Sequence, residues 1–172
     1  NRRRERCARR AQRFDALLAM ARAAPHTRAV GLVPTVDVTH TEPFHVSKNV
    51  ATLDYLSGGR FVFGVGGGWN AEEMANHGTI FKTRFALMRE RIEAMKAIWA
   101  NDVAEYQGEH VKFEPLWAWP KPVQKPHHRR TVTRLGEQSF RLTSAEPSLR
   151  WLHMNSVGMD VTITERTDQM AA

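Results

Sequence analysis

Residues 52–70 read TLDYLSGGRFVFGVGGGWN, and this stretch decides the fold class of the chain. A helix ends at its start, because the Gly58-Gly59 pair supplies a left-handed stop. Residues 61–65 are apolar at successive positions, as in a strand that is covered on both faces. A glycine-rich mouth closed by Trp69 and Asn70 follows. The stretch therefore predicts one helix-to-strand step of a repeating α/β protein, with a ligand-facing loop after the strand.

The flanking sequence continues this alternation of helices and strands. Apolar spacing predicts helices over 11–24, 42–56, 71–77 and 83–100, strands over 29–33 (ended by Pro34) and 61–65, and a hairpin over 104–113. The expected buried stripes are Phe14, Leu17, Leu18 and Ala21, then Val46, Val50, Leu53 and Leu56, then Phe85, Met88, Ile92, Met95 and Trp99. Such an order implies parallel strands joined by crossovers.

The net charge of +7 is concentrated at one end of the chain. Residues 1–13 hold seven arginines and one glutamate, whereas residues 14–126 hold twelve basic and twelve acidic side chains. A phosphate-binding arm is one hypothesis, but no recognition motif accompanies it, so nucleic-acid binding is not expected. The single cysteine, Cys7, gives no disulfide framework and fits a reducing cytoplasm. No apolar run approaches the about 18 residues of a membrane span, so no membrane partner is expected.

Each candidate site residue has an ordinary structural alternative. The glycines from Gly64 to Gly68 either let backbone approach a cofactor or make a tight turn, and neither the Rossmann nor the Walker pattern is present. Trp69 and Asn70 either wall a flat ring and bind its polar edge, or are a core tryptophan and a helix cap.

The remaining polar candidates favour structural roles. His40 and His45 are five residues apart, which does not match a helical metal pair, so both are expected in solvent and no metal site is predicted. Arg60 stands at the start of its strand, where a structural role is expected.

Together the segments resemble the luciferase-like monooxygenase family, the flavin- or deazaflavin-dependent α/β barrels. The family pattern LATLD-x-LSGGR-x-x-x-GVG-x-GW corresponds here to residues 50–60 and 64–70. The strand and loop before Pro43, the helix ending MKAIWAND, YQGE at 106–109 and WPKPVQKP at 119–126 are also similar to the family and occur in its order. The resemblance covers residues 14–126.

The resemblance implies an incomplete TIM (β/α)8 barrel of the bacterial luciferase-like type, roughly strands three to six. It implies FMN or the deazaflavin coenzyme F420 as cofactor, the latter slightly favoured by the GVGxGWN type. The implied chemistry is hydride transfer or O2-dependent oxidation of a small organic substrate in a homo-oligomeric parent enzyme. No catalytic residue is assigned. The cofactor contacts carried over are Thr35, Val36, Asp37, Gly66, Gly68, Trp69 and Asn70.

The chain departs from the family at both ends. The first two strands of the barrel are missing, and after Pro126 the expected hydrophobic strand is replaced by a charged stretch, with Trp151 as the remnant of a later motif. We therefore divide the chain into a basic arm (1–13), a barrel segment (14–126) and a divergent tail (127–172). The tail is either a departure from the ancestral barrel or the product of an altered reading frame.

These departures set the expectations for activity and stability. The preferred hypothesis is a fragment of an oxidoreductase, and the alternative is a non-catalytic remnant or interaction module that retains part of the scaffold. Exposed sheet edges and apolar surface predict poor stability and self-association.

Overall fold

The computed structural model describes residues 14–125, 129–132, 150–155 and 162–164. The helices are α1 (Ala16–Ala23), α2 (Pro43–Ser57), α3 (Ala71–Asn76) and α4 (Arg84–Ala100). The strands are β1 (Val30–Asp37), β2 (Val62–Gly66), β3 (Val103–Gln107), β4 (Lys112–Trp117), β5 (Arg129–Val132), β6 (Arg150–Asn155) and β7 (Thr162–Thr164). Short 3-10 turns cover Ala24–His26 and Phe81–Thr83. The basic arm of residues 1–13 lies outside the described residues, and so does the start of a helix that the sequence pattern predicts over Glu165 to Ala172.

Five of the described strands form one sheet in the order β5-β2-β1-β6-β7. β1, β2, β5 and β6 are parallel, and β7 runs antiparallel to β6. The predicted parallel pairing of β1 with β2 is therefore confirmed. The described sheet is open, with β5 and β7 at its edges, which agrees with an incomplete barrel.

The tail contributes more to this sheet than its composition indicates. Residues 129–132 pair with β2, and residues 150–155 pair with β1 across six positions. The expectation that the α/β pattern is lost from His127 onward is therefore wrong for these two strands. Backbone pairing with a neighbouring strand compensates for a sequence that has no apolar run.

Pro34 does not end β1, contrary to the prediction. Leu32 is bridged to Phe61, and Thr35 is paired with Gly64, so the register is the same on both sides of the proline. Proline removes one ladder hydrogen bond, but the flanking pairs keep the strand extended. Thr35–Asp37, which the sequence predicts as loop, consequently belong to the strand.

The main core lies between α1, α2, α4 and the sheet. Its largest fully buried side chains include Met20, Leu32, Val46, Val50, Leu53, Phe61, Phe63 and Met95. The Trp99 indole N–H also reaches this layer and donates to the Ser47 carbonyl at 3.0 Å. The predicted stripe of α2 is confirmed except at Leu56, which is exposed.

The predicted apolar faces of α1 and α4 need correction. In α1 the buried positions are Ala16 and Met20. Leu17 and Ala21 of the predicted stripe are partly buried against the core, whereas Phe14 and Leu18 are each 73% exposed. The helix begins only after its cap Asp15, whose carboxylate accepts the Leu18 N–H at 2.9 Å, so Phe14 lies before the helix.

Helix α4 buries two faces instead of one. Met95 and Trp99 contact the sheet side, and Ala94 and Ile98 pack against the β3–β4 hairpin. Phe85, expected in the buried stripe, is about half exposed because it lies where the helix begins. None of the described helices is both long and apolar enough to cross a membrane.

Arg60 connects three segments, which confirms its predicted structural role. Its guanidinium donates to the carbonyls of Ala24, Thr27 and Val30 and to that of Ser57 at the end of α2. Burial lowers the pKa of Arg60. The side chain thereby joins the turn before β1 to the turn before β2, so that the first residues of the two parallel strands lie next to each other.

We expect Arg60→Met to destabilise the chain by about 2 kcal/mol or more, because several carbonyls lose their donor at once. Urea unfolding measures this, with the exposed Arg28→Met as the matched control. Equal unfolding midpoints for the two variants would contradict the role of Arg60.

Glu90 of α4 holds the turn of the hairpin. Its carboxylate accepts the backbone N–H groups of Glu109, His110 and Val111 at 3.1, 2.7 and 2.9 Å. Desolvation raises the pKa of Glu90, but these three hydrogen bonds outweigh it, so the pKa is lowered on balance.

A carboxylate with a lowered pKa stabilises the fold above its ordinary value near 4.5, and this contribution disappears as the pH falls through the lower folded value. We therefore expect Glu90→Gln to melt earlier than the wild type at neutral pH, with the difference shrinking below pH 4.5. Thermal melts from pH 7 to pH 3 measure this, with exposed Glu105→Gln as control. A difference that does not change with pH would count against the proposed contacts.

Candidate functional site

A cavity of about 480 Å³ lies at the carboxyl end of β1. Four of the seven predicted cofactor contacts line it: Thr35, Val36, Asp37 and Trp69. The other lining residues are Phe14, Asp15, Ala16, Leu17, His40, Thr41, Val46, Asn49 and Glu73. The cavity is thus formed by the end of β1, the loops after β1 and β2, and the first turns of α1, α2 and α3.

The pairing of β1 with β2 brings the two loops together. Asp37 is the Cα partner of Gly66, so both strands end at the same level. The Val38 N–H donates to the Gly66 carbonyl at 3.2 Å, and the Thr39 hydroxyl donates to the Gly67 carbonyl at 3.3 Å. Residues distant in sequence therefore share one rim.

Trp69 and Asn70 separate into two different roles. Trp69 is 51% exposed and lines the cavity, so it is not a core tryptophan. The Asn70 side-chain oxygen accepts the N–H groups of Glu72 and Glu73 at 3.1 and 3.4 Å, which caps α3. Asn70 does not line the cavity, and its amide oxygen is already used.

Side chains of the protein itself pack against the glycines of the loop after β2. A Cβ on Gly67 would lie 3.1 Å from the Phe85 ring, and one on Gly68 would lie 3.0 Å from the Met74 sulfur. Gly68 also has a φ of +75°, which favours glycine. Gly66 and Gly68 do not reach the cavity wall, so their assignment as cofactor contacts stays a prediction.

Arg91 of α4 is a residue that the sequence analysis missed. Its guanidinium donates to the carbonyls of Val38 and Thr41 at 2.7 and 2.8 Å and lies 3.7 Å from the Glu42 carboxylate. Burial lowers the pKa of Arg91, and the charge of Glu42 opposes this shift. The contacts hold the loop after β1, and only the helical position of Arg91 was visible in the sequence.

The charged residues of the cavity wall are mostly acidic. Asp15, Asp37 and Glu73 line the cavity, whereas no lysine or arginine is among the described lining residues. Such a wall favours cations or the uncharged part of a ligand over a phosphate group.

His40 is less exposed than the expected solvated loop position. It is half-buried, and its ring is stacked on that of His77, with centroids 4.8 Å apart and planes 8° apart. His45 is exposed as expected, but it lies in the first turn of α2 and not in a loop.

Both loops lie within a stretch of sequence that matches a known protein family. The profile of the luciferase-like monooxygenase family matches residues 4–143. This chain belongs to that family. The motifs alone indicated the family over residues 14–126. The match of the whole profile extends further, into the tail.

Among the curated relatives is the uncharacterized protein Rv0953c of Mycobacterium tuberculosis, 38% identical over 151 residues. The alignment covers 87% of this chain and 50% of that protein, so the chain spans about half the length of this relative. A crystal structure of the monooxygenase RslO1 from Streptomyces bottropensis superposes with a TM-score of 0.64 at 29% identity, covering 69% of this chain and 36% of the other.

Two further relatives use different redox cofactors. The FMNH2-dependent dimethylsulfone monooxygenase of Pseudomonas putida is 33% identical over 49% of this chain and 24% of its own length. The F420-dependent glucose-6-phosphate dehydrogenase of Amycolatopsis mediterranei is 32% identical over 48% of this chain and 26% of its own. The family therefore contains both flavin and deazaflavin enzymes, and its named members are oxidoreductases and monooxygenases.

We expect Arg91→Met to loosen the loop after β1, because the carbonyls of Val38 and Thr41 lose their donor. Limited proteolysis should then cut within residues 38–42 faster than in the wild type. Arg89→Met is the matched control, since Arg89 is exposed on the same helix. Cleavage at the wild-type rate in Arg91→Met would show that the loop does not depend on this contact.

Proposed function

We propose that this chain supplies part of the cofactor site of a flavin- or deazaflavin-dependent oxidoreductase that acts on a small organic substrate. The observation that carries the proposal is the cavity in which Thr35, Val36 and Asp37 meet Trp69. In open α/β sheets and α/β barrels, ligands bind outside the carboxyl ends of the strands. The relatives with FMNH2- and F420-dependent activities support the redox class.

The cavity fits the ring system of such a cofactor. Its volume of about 480 Å³ lies within the range of ordinary ligand sites, about 300–1,000 Å³. Trp69 adds an aromatic side chain to the wall, and Thr35 and Asp37 add polar residues whose chemistry suits the polar edge of a ring. The cofactor would supply hydride transfer or, in the flavin case, activation of O2. The residues of this chain would bind and orient the ring.

The phosphate-bearing end of the cofactor requires a different surface. The described wall offers carboxylates and no lysine or arginine, which disfavours a phosphate there. We therefore assign only ring binding to this cavity. In a homo-oligomeric, cytoplasmic parent enzyme, the exposed apolar side chains Phe14 and Leu18 would pack against further barrel strands or a second copy.

A non-catalytic scaffold is the second candidate function. Phe85, Met74 and His40 pack against Gly67 and Gly68, so the chain itself occupies part of the space that the glycines were expected to leave for a ligand. This packing favours a stable partial barrel that acts as an interaction module without redox chemistry.

Absorbance titrations separate these two functions. We expect the full chain to perturb the ring absorbance of FMN or of coenzyme F420, and Trp69→Leu to weaken that binding about tenfold, which corresponds to about 1.4 kcal/mol. Trp117→Leu is the matched control, because Trp117 is exposed on the hairpin, away from the cavity. Unchanged spectra with both cofactors would favour the scaffold function, and equal affinities of the two variants would remove Trp69 from the site.

A further inference from the structure

His40, Glu73 and His77 form a cluster at the edge of the cavity. One potential ligand atom from each of the three side chains lies within 4.8 Å of the other two. His40 comes from the loop after β1, whereas Glu73 and His77 are one helical turn apart, on α3 and at its carboxyl cap. His40 and Glu73 also line the cavity itself.

The backbone positions of all three residues are fixed by hydrogen bonds. The His77 N–H donates to the Glu73 carbonyl at 3.2 Å, and the His40 N–H donates to the Asp37 carbonyl at 3.1 Å. The hydroxyl of Thr79, just after α3, donates to the Thr39 carbonyl at 2.7 Å, which ties the two segments to each other. The fold therefore holds the backbones of the three residues next to one another.

The state of His40 points to a ligand. Its Nε2 atom is buried and has no hydrogen-bond partner among the described residues. A buried nitrogen without a partner is costly, because it has lost water and gained nothing in exchange. The ring of His77 stacks on that of His40 and makes no hydrogen bond to this nitrogen.

Two imidazoles and one carboxylate are the ligand set that Zn²⁺ and similar divalent transition metals take in proteins. We propose that His40, Glu73 and His77 bind a divalent transition-metal ion at the edge of the cavity. The carboxylates of Asp15 and Asp37 on the same cavity wall add a negative field that favours a cation. This site is independent of the proposed redox function and differs from the sequence-based expectation of no metal.

Binding requires one local movement. The two imidazole planes are nearly parallel, at 8°, so the lone pairs of their nitrogens do not converge on one point. His77 is exposed and follows the last residue of α3, so its ring turns without disturbing the core. His40 and Glu73 keep their places on the cavity wall.

A second group of potential metal ligands is less suited to bind an ion than the His40 cluster. Glu90, Glu109 and His110 also bring their ligand atoms within 4.8 Å of one another. The Glu90 carboxylate, however, already accepts three backbone N–H groups that hold the hairpin turn. A metal there would have to displace these bonds, whereas a metal at the His40 cluster displaces none that involves the His40 Nε2 atom.

Calorimetric titration of the untagged full chain with ZnCl2 tests the proposal. We expect one ion to bind per chain. Glu73→Gln and His77→Gln should each weaken Zn²⁺ binding at least about tenfold, because losing a residue that only orients a metal ligand already weakens metal affinity about 10- to 100-fold. Both residues are exposed, so neither substitution threatens folding. The matched controls are Glu72→Gln on the same helix and His45→Gln on α2, both exposed and outside the cluster.

A spectroscopic readout identifies the ligands directly. Replacing Zn²⁺ with Co²⁺ should give visible absorption bands in the wild type and in the two controls, and these bands should be lost in Glu73→Gln and His77→Gln. The proposal is overturned if the wild type binds no Zn²⁺, or if either ligand variant binds the ion as tightly as the wild type does.

Discussion

The buried carboxylate of Asp54 is the constraint on which this arrangement depends. It lies inside α2 with no exposed surface, where an unpaired charge would be very costly. The backbone N–H and the side-chain amide of Gln124 donate to it at 3.0 and 2.6 Å, and the same amide donates to the Phe61 carbonyl at 2.7 Å. The carboxylate thus joins the proline-rich segment, the end of α2 and the start of β2. Replacing Gln124 would remove two hydrogen bonds from a buried carboxylate, which makes this pair costly to break.

This anchoring positions the cavity at the far end of the same strands. Arg60 holds the first residues of β1 and β2 side by side. Gly64 allows the two strands to approach closely, because a Cβ at this position would lie 2.6 Å from the Pro34 carbonyl oxygen. The strands therefore end together, and Asp37 meets the glycine mouth. Arg91 then holds the loop after β1 from the side of α4. The contacts of Arg60 and Asp54 at one end of the sheet therefore determine which side chains lie together in the cavity at the other end.

The sequence predicted local features well and long-range contacts poorly. The left-handed stop at Gly58-Gly59, the parallel strands and the hairpin follow from periodicity and turn chemistry, and all three are confirmed. Four of the seven site residues that the family resemblance implied line one cavity. The continuation of β1 through Pro34 depends on pairing with neighbouring strands. The residue preferences of a short segment carry no information about such pairing. Likewise, the contacts of Arg91 with the β1 loop and of His77 with His40 join segments that are far apart in the chain.

The central claim is that the cavity beside Trp69 binds a planar redox ring. The most direct measurement is a two-dimensional ¹⁵N NMR spectrum of the full chain, recorded during titration with FMN and separately with coenzyme F420. We expect one of the two cofactors to shift the Trp69 indole signal and the amide signals of Thr35, Val36 and Asp37, while the signals of the β3–β4 hairpin stay in place. Shifts confined to the hairpin, or an unchanged spectrum with both cofactors at saturating concentration, would contradict it.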